Sequence, residues 1–268
     1  MKIALLGYGK MGKAVEEDAI RNGHEIILRH NTASTQPLTP GLLTTADVVI
    51  EFSTPLVVMD HIYACLDAGI PIVVGTTGWY EQLSLVVEDV LCRNASLFYA
   101  ANFSIGVNIF FQLNDMLADL MNDFPEYEVA IDEVHHSQKK DSPSGTAIVL
   151  AEGILRFMER KQGWKNNLSV RSPDKQPDSP PPGSEDTDHY NASDSPISIQ
   201  SFREGNVSGI HTVRYYGEND RITFTHEALN RKGFAQGAVL AAEWLVGKPG
   251  VFNMRDLLGF VHERQDRR

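Results

Sequence analysis

Cysteine is scarce in this chain: Cys65 and Cys92 are the only two in 268 residues. Two thiols cannot staple a disulfide-built fold, and neither has the closely spaced neighbours of a zinc cluster, so reduced thiols and no metal are expected. Basic residues are in the minority, 24 Lys and Arg against 35 Asp and Glu, for a net charge of −11. They are scattered, which excludes the broad cationic face that nucleic acid or an anionic membrane would need. Long apolar runs are missing too, since no stretch approaches the roughly 18 residues of a membrane span. Met1 leads directly into an apolar segment with no basic leader or cleavage site, so a cytoplasmic location is expected. Any anionic ligand must then be met locally, by particular residues.

A chain of 268 residues exceeds the size at which single cores usually stop growing, and two domains are expected. The apolar run "KIALLG" is followed by Gly7, Gly9 and Gly12 in the spacing GxGxxG, and then by "KAVEEDAI", which can be helical. In a strand–turn–helix of this kind the first glycine permits the tight turn. The second lets backbone approach a pyrophosphate, and the third allows close helix packing. Further apolar runs, "EIIL", "ADVVIEF", "GIPIVVG" and "SLFYA", alternate with helical stretches such as "LVVMDHIYACLDAG". That alternation predicts parallel strands covered on both faces, a Rossmann-type domain. "GTTG" (Gly75 to Gly78) and "AANFS" (Ala100 to Ser104) stand at strand ends, where open sheets bind ligands.

The second strand ends "LRHN", without the Asp or Glu that usually binds the ribose hydroxyls of NAD. Arg29 and His30, with Lys10 in the glycine loop, are candidates to receive a 2′-phosphate instead. Acceptance of NADPH is therefore expected, with a leaning toward it over NADH, although the preference between the two is left open.

After Asn102 the pattern changes. "GVNIFFQLNDMLADLMN" carries Val107, Phe110, Phe111, Leu113, Met116, Leu117 and Leu120 at helical spacing, and these are expected in the core. "YEVAIDEVHH" alternates like a strand, which would place His135 and His136 on opposite faces unless the strand ends there. "SQKKDSPSG" supplies that ending, because Pro143 and Gly145 oppose the sheet and Ser144 can cap a new helix, "TAIVLAEGILRFMER". Ile148, Ala151, Leu155 and Met158 are expected on its inner face. Free amides of Ser144, Gly145 and Thr146 at its start would suit a carboxylate. Histidine titrates near neutrality and lysine normally carries charge, so His135, His136 and Lys139 can move a proton or hold an anion.

Residues 165–196, rich in Pro, Ser and Asp, read as a long surface loop or a bridge to another subunit. "ISIQSFREGNVSGIHTVRYY" and "DRITFTHEAL" read as antiparallel strands with one buried face. They carry Arg203, His211 and Arg214 as further polar candidates, none singled out. The tail contains a small-residue helix ended by Gly247 and Pro249.

Taken in order, "GYGKMG", "EFSTP", "GTTG", "AANFSIGVN", "EVHHSQKKDSPSGTA", "REGNVSGIHTV" and "NRKGFAQGAVLAAEWL" cover nearly the whole chain. Together they resemble the 4-hydroxy-tetrahydrodipicolinate reductase (dihydrodipicolinate reductase) family. The join of HHxxK to DxPSGTA is the most specific part. The resemblance implies an α/β fold: a Rossmann-type parallel-sheet nucleotide domain over 1–102, with the C-terminal segment 231–268 returning to it. It implies an α+β mixed-sheet domain for substrate and oligomerisation over 103–230, a homotetramer, and NADPH or NADH as cofactor.

The implied reaction reduces 4-hydroxy-tetrahydrodipicolinate, through dihydrodipicolinate, to tetrahydrodipicolinate on the diaminopimelate route to lysine. His135 and Lys139 would be catalytic, with the choice between them open, and His136, Ser144, Gly145 and Thr146 would bind the dicarboxylate. Cofactor contacts would fall on Gly7, Tyr8, Gly9, Lys10, Met11 and Gly12, on Gly75, Thr76 and Thr77, and on Ala100, Ala101, Asn102 and Phe103. Ser137, Gln138 and Ser142 vary the family pattern, as does the missing acid after the second strand. Two rivals share parts of this sequence. Another dinucleotide-dependent oxidoreductase would not need PSGT beside HHxxK, and a nucleotide-sensing regulator would not need the second site.

Overall fold

The computed structural model describes residues 1–170, 196–230 and 232–260, and divides the chain into two units. The first comprises Met1–Asn108 with the C-terminal part of the chain, and the second Ile109–Asn230.

In the first unit, β1 (Lys2–Leu6), α1 (Lys10–Arg21), β2 (Glu25–His30), α2 (Pro40–Leu43), β3 (Val48–Glu51) and α3 (Val58–Ala68) follow one another. Next come β4 (Ile72–Val74), a 3-10 turn, α4 (Leu83–Cys92) and β5 (Ser96–Tyr99). The strands form a six-stranded sheet in the order β11-β5-β4-β3-β1-β2, every pair parallel, with β11 (Gly250–Phe252) contributed from the C-terminal region. Strands buried on both faces need continuous apolar runs. Ile3, Leu5, Val48 and Ile50 accordingly enter one core and Ala4, Leu6, Val49 and Val74 the other.

The small residues of α7 (Lys232–Leu245) bury Ala235, Gly237, Ala238, Ala241 and Ala242 in the first of these cores. A side chain at Gly237 would run into the Phe103 carbonyl, so the helix can lie against that loop only as glycine. β11 and α8 (Met254–Leu258), which begins with a capping box at Asn253, follow it.

The second unit holds a five-stranded sheet, β10-β9-β6-β8-β7, made of β6 (Glu128–His135), β7 (Trp164–Val170), β8 (Ile197–Arg203), β9 (Ile210–Tyr216) and β10 (Arg221–Glu227). The expected antiparallel pairing holds for β9 with β10 and with β6, but β8 runs parallel to both β6 and β7. The sheet is mixed. Its apolar face packs on α6 (Gly145–Phe157) and the later turns of α5 (Ile105–Met121). The described part of the supposed loop 165–196 also differs, since residues 164–170 are strand β7. Residues 171–195 lie outside the described residues.

Two helix faces differ from the periodicity reading. Leu113, Met116 and Leu120 are about half exposed, at 50%, 50% and 49%, while Val107 and Phe110 are buried as expected. α5 instead turns Asn114 and Asp115 inward, where Gly153 of α6 leaves room for them and Asn114 donates to the Leu150 carbonyl at 3.0 Å. Two apolar stripes on one helix look alike in a sequence, and polar groups with buried partners decided which faces in. On α6 the inner face is Ala147, Leu150, Ala151, Ile154 and Met158, with Ile148 and Leu155 only half-buried. No helix among the described residues is long and apolar enough to cross a membrane.

Candidate active site

In the first unit the loops after β1, β3, β4 and β5 all leave the carboxyl end of the sheet. β1 is flanked by β2 on one side and β3 on the other, the point where strand order reverses and ligands of such sheets bind. Gly7 has φ +92°, and a side chain there would strike the Phe52 backbone; one at Gly12 would strike the Gly7 carbonyl. Both glycines are demanded by the fold. Gly9 is different: its φ is an ordinary −84° and a Cβ would meet nothing within 4 Å. The space beside Gly9 is open, and α1 starts there without any side-chain cap, so its first amides are presented unfilled. That cradle fits a pyrophosphate.

Lys10 is exposed at the head of α1, Met11 is packed against the core, and Tyr8 sends its hydroxyl to Glu16. Gly75 lies on the Phe52 ring, Thr76 Oγ1 accepts from the Ser53 amide at 2.9 Å, and Thr77 is exposed. Ala100 and Phe103 are buried, Ala101 is exposed, and Asn102 Oδ1 accepts from the Ser104 amide at 2.9 Å. Under these loops sits a cluster not anticipated from the sequence. The buried Glu51 carboxylate accepts from the Ser53 amide at 3.0 Å and lies 3.2 Å from His61 Nδ1. Arg29, expected to face a phosphate, gives both its Nε and Nη2 to Glu16 Oε1.

In the second unit β6 stops at His135, so the two histidines are not held on opposite faces of a strand. His135 is buried, its Nδ1 3.1 Å from Glu133 Oε2, though off the line of a hydrogen bond. Its ring meets that of His211 edge-on, centroids 5.0 Å apart. Its Nε2 lies beside Gly209, where a Cβ would approach to 3.0 Å and φ is +156°. Any side chain at that position would crowd Nε2, and glycine avoids the contact. His136 is half-buried in the turn that follows, and Lys139 Nζ contacts both oxygens of Asp141, at 2.9 and 2.8 Å.

Ser144 caps α6 as expected, its Oγ accepting from the Ala147 amide at 3.2 Å; such a cap is worth about 1 kcal/mol. Its own amide is not free, however, because it donates to Glu133 Oε1 at 3.1 Å. Gly145 and Thr146 keep amides with no partner among the described residues.

Glu133 organises this region, and nothing in its sequence context announced it. The carboxylate has no exposed surface and meets Arg203 Nη2 at 3.0 Å, the Ser144 amide and His135. Burial alone would raise its carboxyl, but the close His135 ring and Ser201 hydroxyl, with the hydrogen bonds from the Ser144 amide and Arg203, outweigh burial and hold it well below the usual carboxylate range. Arg203 also donates to the Asp141 carbonyl at 2.6 Å, tying the lysine-bearing turn to the same anion. His211 Nε2 stands 3.0 Å from Ser144 Oγ. Burial, then the neighbouring His135, push the His211 imidazole down to about 3, with Glu133 opposing, so it is neutral near pH 7. Glu133, His135 and His211 offer ligand atoms within 4.8 Å of one another. The Arg203 guanidinium already supplies the countercharge, which opposes a divalent cation there. Arg214, paired with Asp132 at 2.8 Å, stands apart from this group.

Family models match both halves in order: dihydrodipicolinate reductase, N-terminus, over residues 1–103, and dihydrodipicolinate reductase, C-terminus, over residues 106–258. A 4-hydroxy-tetrahydrodipicolinate reductase of Christiangramia forsetii is 40% identical over 259 residues, 96% of this chain and 98% of its own. One of Acinetobacter baumannii is 36% identical over 81% of this chain and 74% of its own. Among solved structures, the dipicolinate-bound dihydrodipicolinate reductase of Paenisporosarcina sp. TG-14 has a TM-score of 0.71 at 23% identity, covering 96% of this chain and 98% of that one. The likeness in fold agrees with the parallel-sheet and mixed-sheet architecture. With both halves matched and a relative of this identity spanning nearly the full length, the chain belongs to the dihydrodipicolinate reductase family.

Proposed function

We propose that this protein reduces 4-hydroxy-tetrahydrodipicolinate, by way of dihydrodipicolinate, to tetrahydrodipicolinate, with either NADPH or NADH as reductant. The observation that carries the reading is in the second unit. A histidine whose Nε2 faces a glycine, a turn that carries Lys139, and a helix start with two unused amides are all anchored directly or through one partner to Glu133.

The dinucleotide would be held in the first unit by the Gly7 to Gly12 loop, Gly75 to Thr77 and Ala100 to Phe103, where the open face of Gly9 leaves room for its phosphates. When bound, the reduced nicotinamide supplies the hydride. The second unit seats the diacid: the amides of Gly145 and Thr146 take one carboxylate, aided by the α6 dipole, and His136 and Lys139 take the other. Lys139 exchanges its Asp141 partner for the substrate. Loss of water from the hydroxy acid gives the conjugated ring. As that ring gains a hydride it becomes anionic, and His135 through Nε2, or Lys139, delivers the balancing proton. General acid catalysis of this kind is worth about 10² to 10⁴ in rate. We further propose a cytoplasmic homotetramer, in line with the family, which light scattering of the purified chain tests.

The activity is tested by supplying the condensation product of pyruvate and aspartate semialdehyde and following loss of nicotinamide absorbance. His135→Gln and Lys139→Ala should each lower turnover by about 10²-fold or more while nucleotide affinity stays within error. Full turnover in both variants would remove the acid assignment, and an inert wild type would remove the reaction.

A further inference from the structure

We infer that Glu16, on the first helix, sets the choice between the two reduced dinucleotides by occupying Arg29, so that NADH binds more tightly than NADPH. The inference rests on the nucleotide reading of the first unit.

The end of β2 is where a Rossmann domain reads the adenosine ribose: an acid there accepts from the 2′-hydroxyl, and an arginine there receives a 2′-phosphate. The end of this strand supplies Arg29 and no acid. The missing carboxylate arrives instead from α1. Arg29 places Nε 2.7 Å from Glu16 Oε1 and brings Nη2 to the same oxygen, while Glu16 Oε2 accepts from the Tyr8 hydroxyl in the glycine loop. The Glu16 side chain is largely covered, at 14% exposure, against 43% for Arg29. Its hydrogen bond from Arg29 holds the Glu16 carboxyl below the ordinary carboxylate range, and its bond from Tyr8 helps. The Tyr8 hydroxyl is correspondingly raised, chiefly by Glu16, and remains a donor. Lys13 Nζ lies 6.0 Å from the Tyr8 ring centroid.

A surface ion pair contributes little to stability, typically ~0 to 1 kcal/mol. Its consequence here is electrostatic. Arg29 is neutralised at the one strand end where a 2′-phosphate needs a free cation, and a carboxylate stands beside that position. Both effects disfavour the phosphorylated dinucleotide, and a ribose hydroxyl meets an acceptor.

The test measures dissociation constants of NADH and NADPH for the full-length protein by fluorescence titration, which needs no turnover. Wild type should bind NADH more tightly. Glu16→Gln should shift the ratio of the two constants toward NADPH by about tenfold, the scale for removing one like charge at about 4 Å in wet surroundings. Glu16→Ala should shift it the same way, which guards against a defect peculiar to one variant. Adding Arg29→Ala to Glu16→Gln should shrink the shift, because only the direct repulsion by the carboxylate is then relieved and no freed guanidinium is left to receive the phosphate. Wild type favouring NADPH, a ratio unmoved in both Glu16 variants, or a shift undiminished by the loss of Arg29 overturns the inference while the nucleotide reading stands. Failure of wild type to bind either dinucleotide overturns both.

Discussion

The two units make their candidate sites from different materials. The first relies on backbone: open loops at the carboxyl ends of parallel strands, glycines where chain passes close to chain, and a helix start with no side-chain cap. The second relies on side chains, with Glu133, Arg203, His135 and His211 buried together at the end of β6. A backbone site can be blocked by one methyl group without disturbing what holds the domain together. A site built from buried charge cannot be changed so cheaply, because each member is the countercharge or hydrogen-bond partner of another.

The sharpest way to break the comparison is therefore to remove Arg203, which should have the largest effect on folding. Arg203→Met leaves the fully buried Glu133 carboxylate without its guanidinium and frees the Asp141 carbonyl. Breaking a buried pair from one side costs roughly 3 to 5 kcal/mol, read as a lowered urea midpoint for the second unit. Arg203→Lys should recover only part of this, because an ammonium lacks the fork that reaches the two acceptors. A midpoint within error of wild type would mean that the charges of this unit do not support its fold.

The opposite result is expected in the first unit. At Gly9 a Cβ has space and φ is ordinary, so Gly9→Ala should cost no more than about 1 kcal/mol, the preference for glycine over alanine at a helix N-cap. The added methyl group nevertheless stands where phosphate must approach, and NADH affinity should drop at least about tenfold, or about 1.4 kcal/mol. Titration and thermal melting on the same sample separate the two effects. A large loss of stability with affinity intact would reverse the reading of this loop.

The same difference explains what the sequence made legible. Strands covered on both faces must be apolar throughout, so the parallel sheet stood out, and a close chain crossing must be glycine, so the loop did too. His135, Lys139 and Ser144 were visible because they lie within one turn-forming segment. Their support was not. Glu133 and Arg203 are partners 70 residues apart, and only the parallel pairing of β6 with β8 brings them together. Glu16 answers the missing acid of β2 from a helix 13 residues earlier, a relation that strand-end reading cannot reveal. The outward stripe of α5 was misjudged for a related reason: Asn114 and Asp115 gain partners on α6 that are distant in the chain.

A smaller effect tests whether the buried polarity of the second unit is tuned as described. His211 is neutral in the folded protein, with its imidazole pushed down to about 3, whereas an unfolded chain would protonate it near the ordinary 6.5. Below that value the unfolded state binds a proton that the native state refuses, so stability is lost as pH falls through 6.5 and continues to fall toward 3. Glu133 acts in a lower window: its folded carboxyl is depressed, so its contribution is complete above the unfolded value of 4.5 and declines only below it. Between pH 6.5 and 5 the loss belongs to His211 rather than to Glu133, at roughly 1.6 kcal/mol across the interval. His211→Gln offers Ser144 Oγ a neutral amide in place of the imidazole, so its melting temperature should fall less than that of wild type over this interval. Equal declines in the two proteins would show that His211 takes up its proton in the native state and that the neutral assignment is wrong.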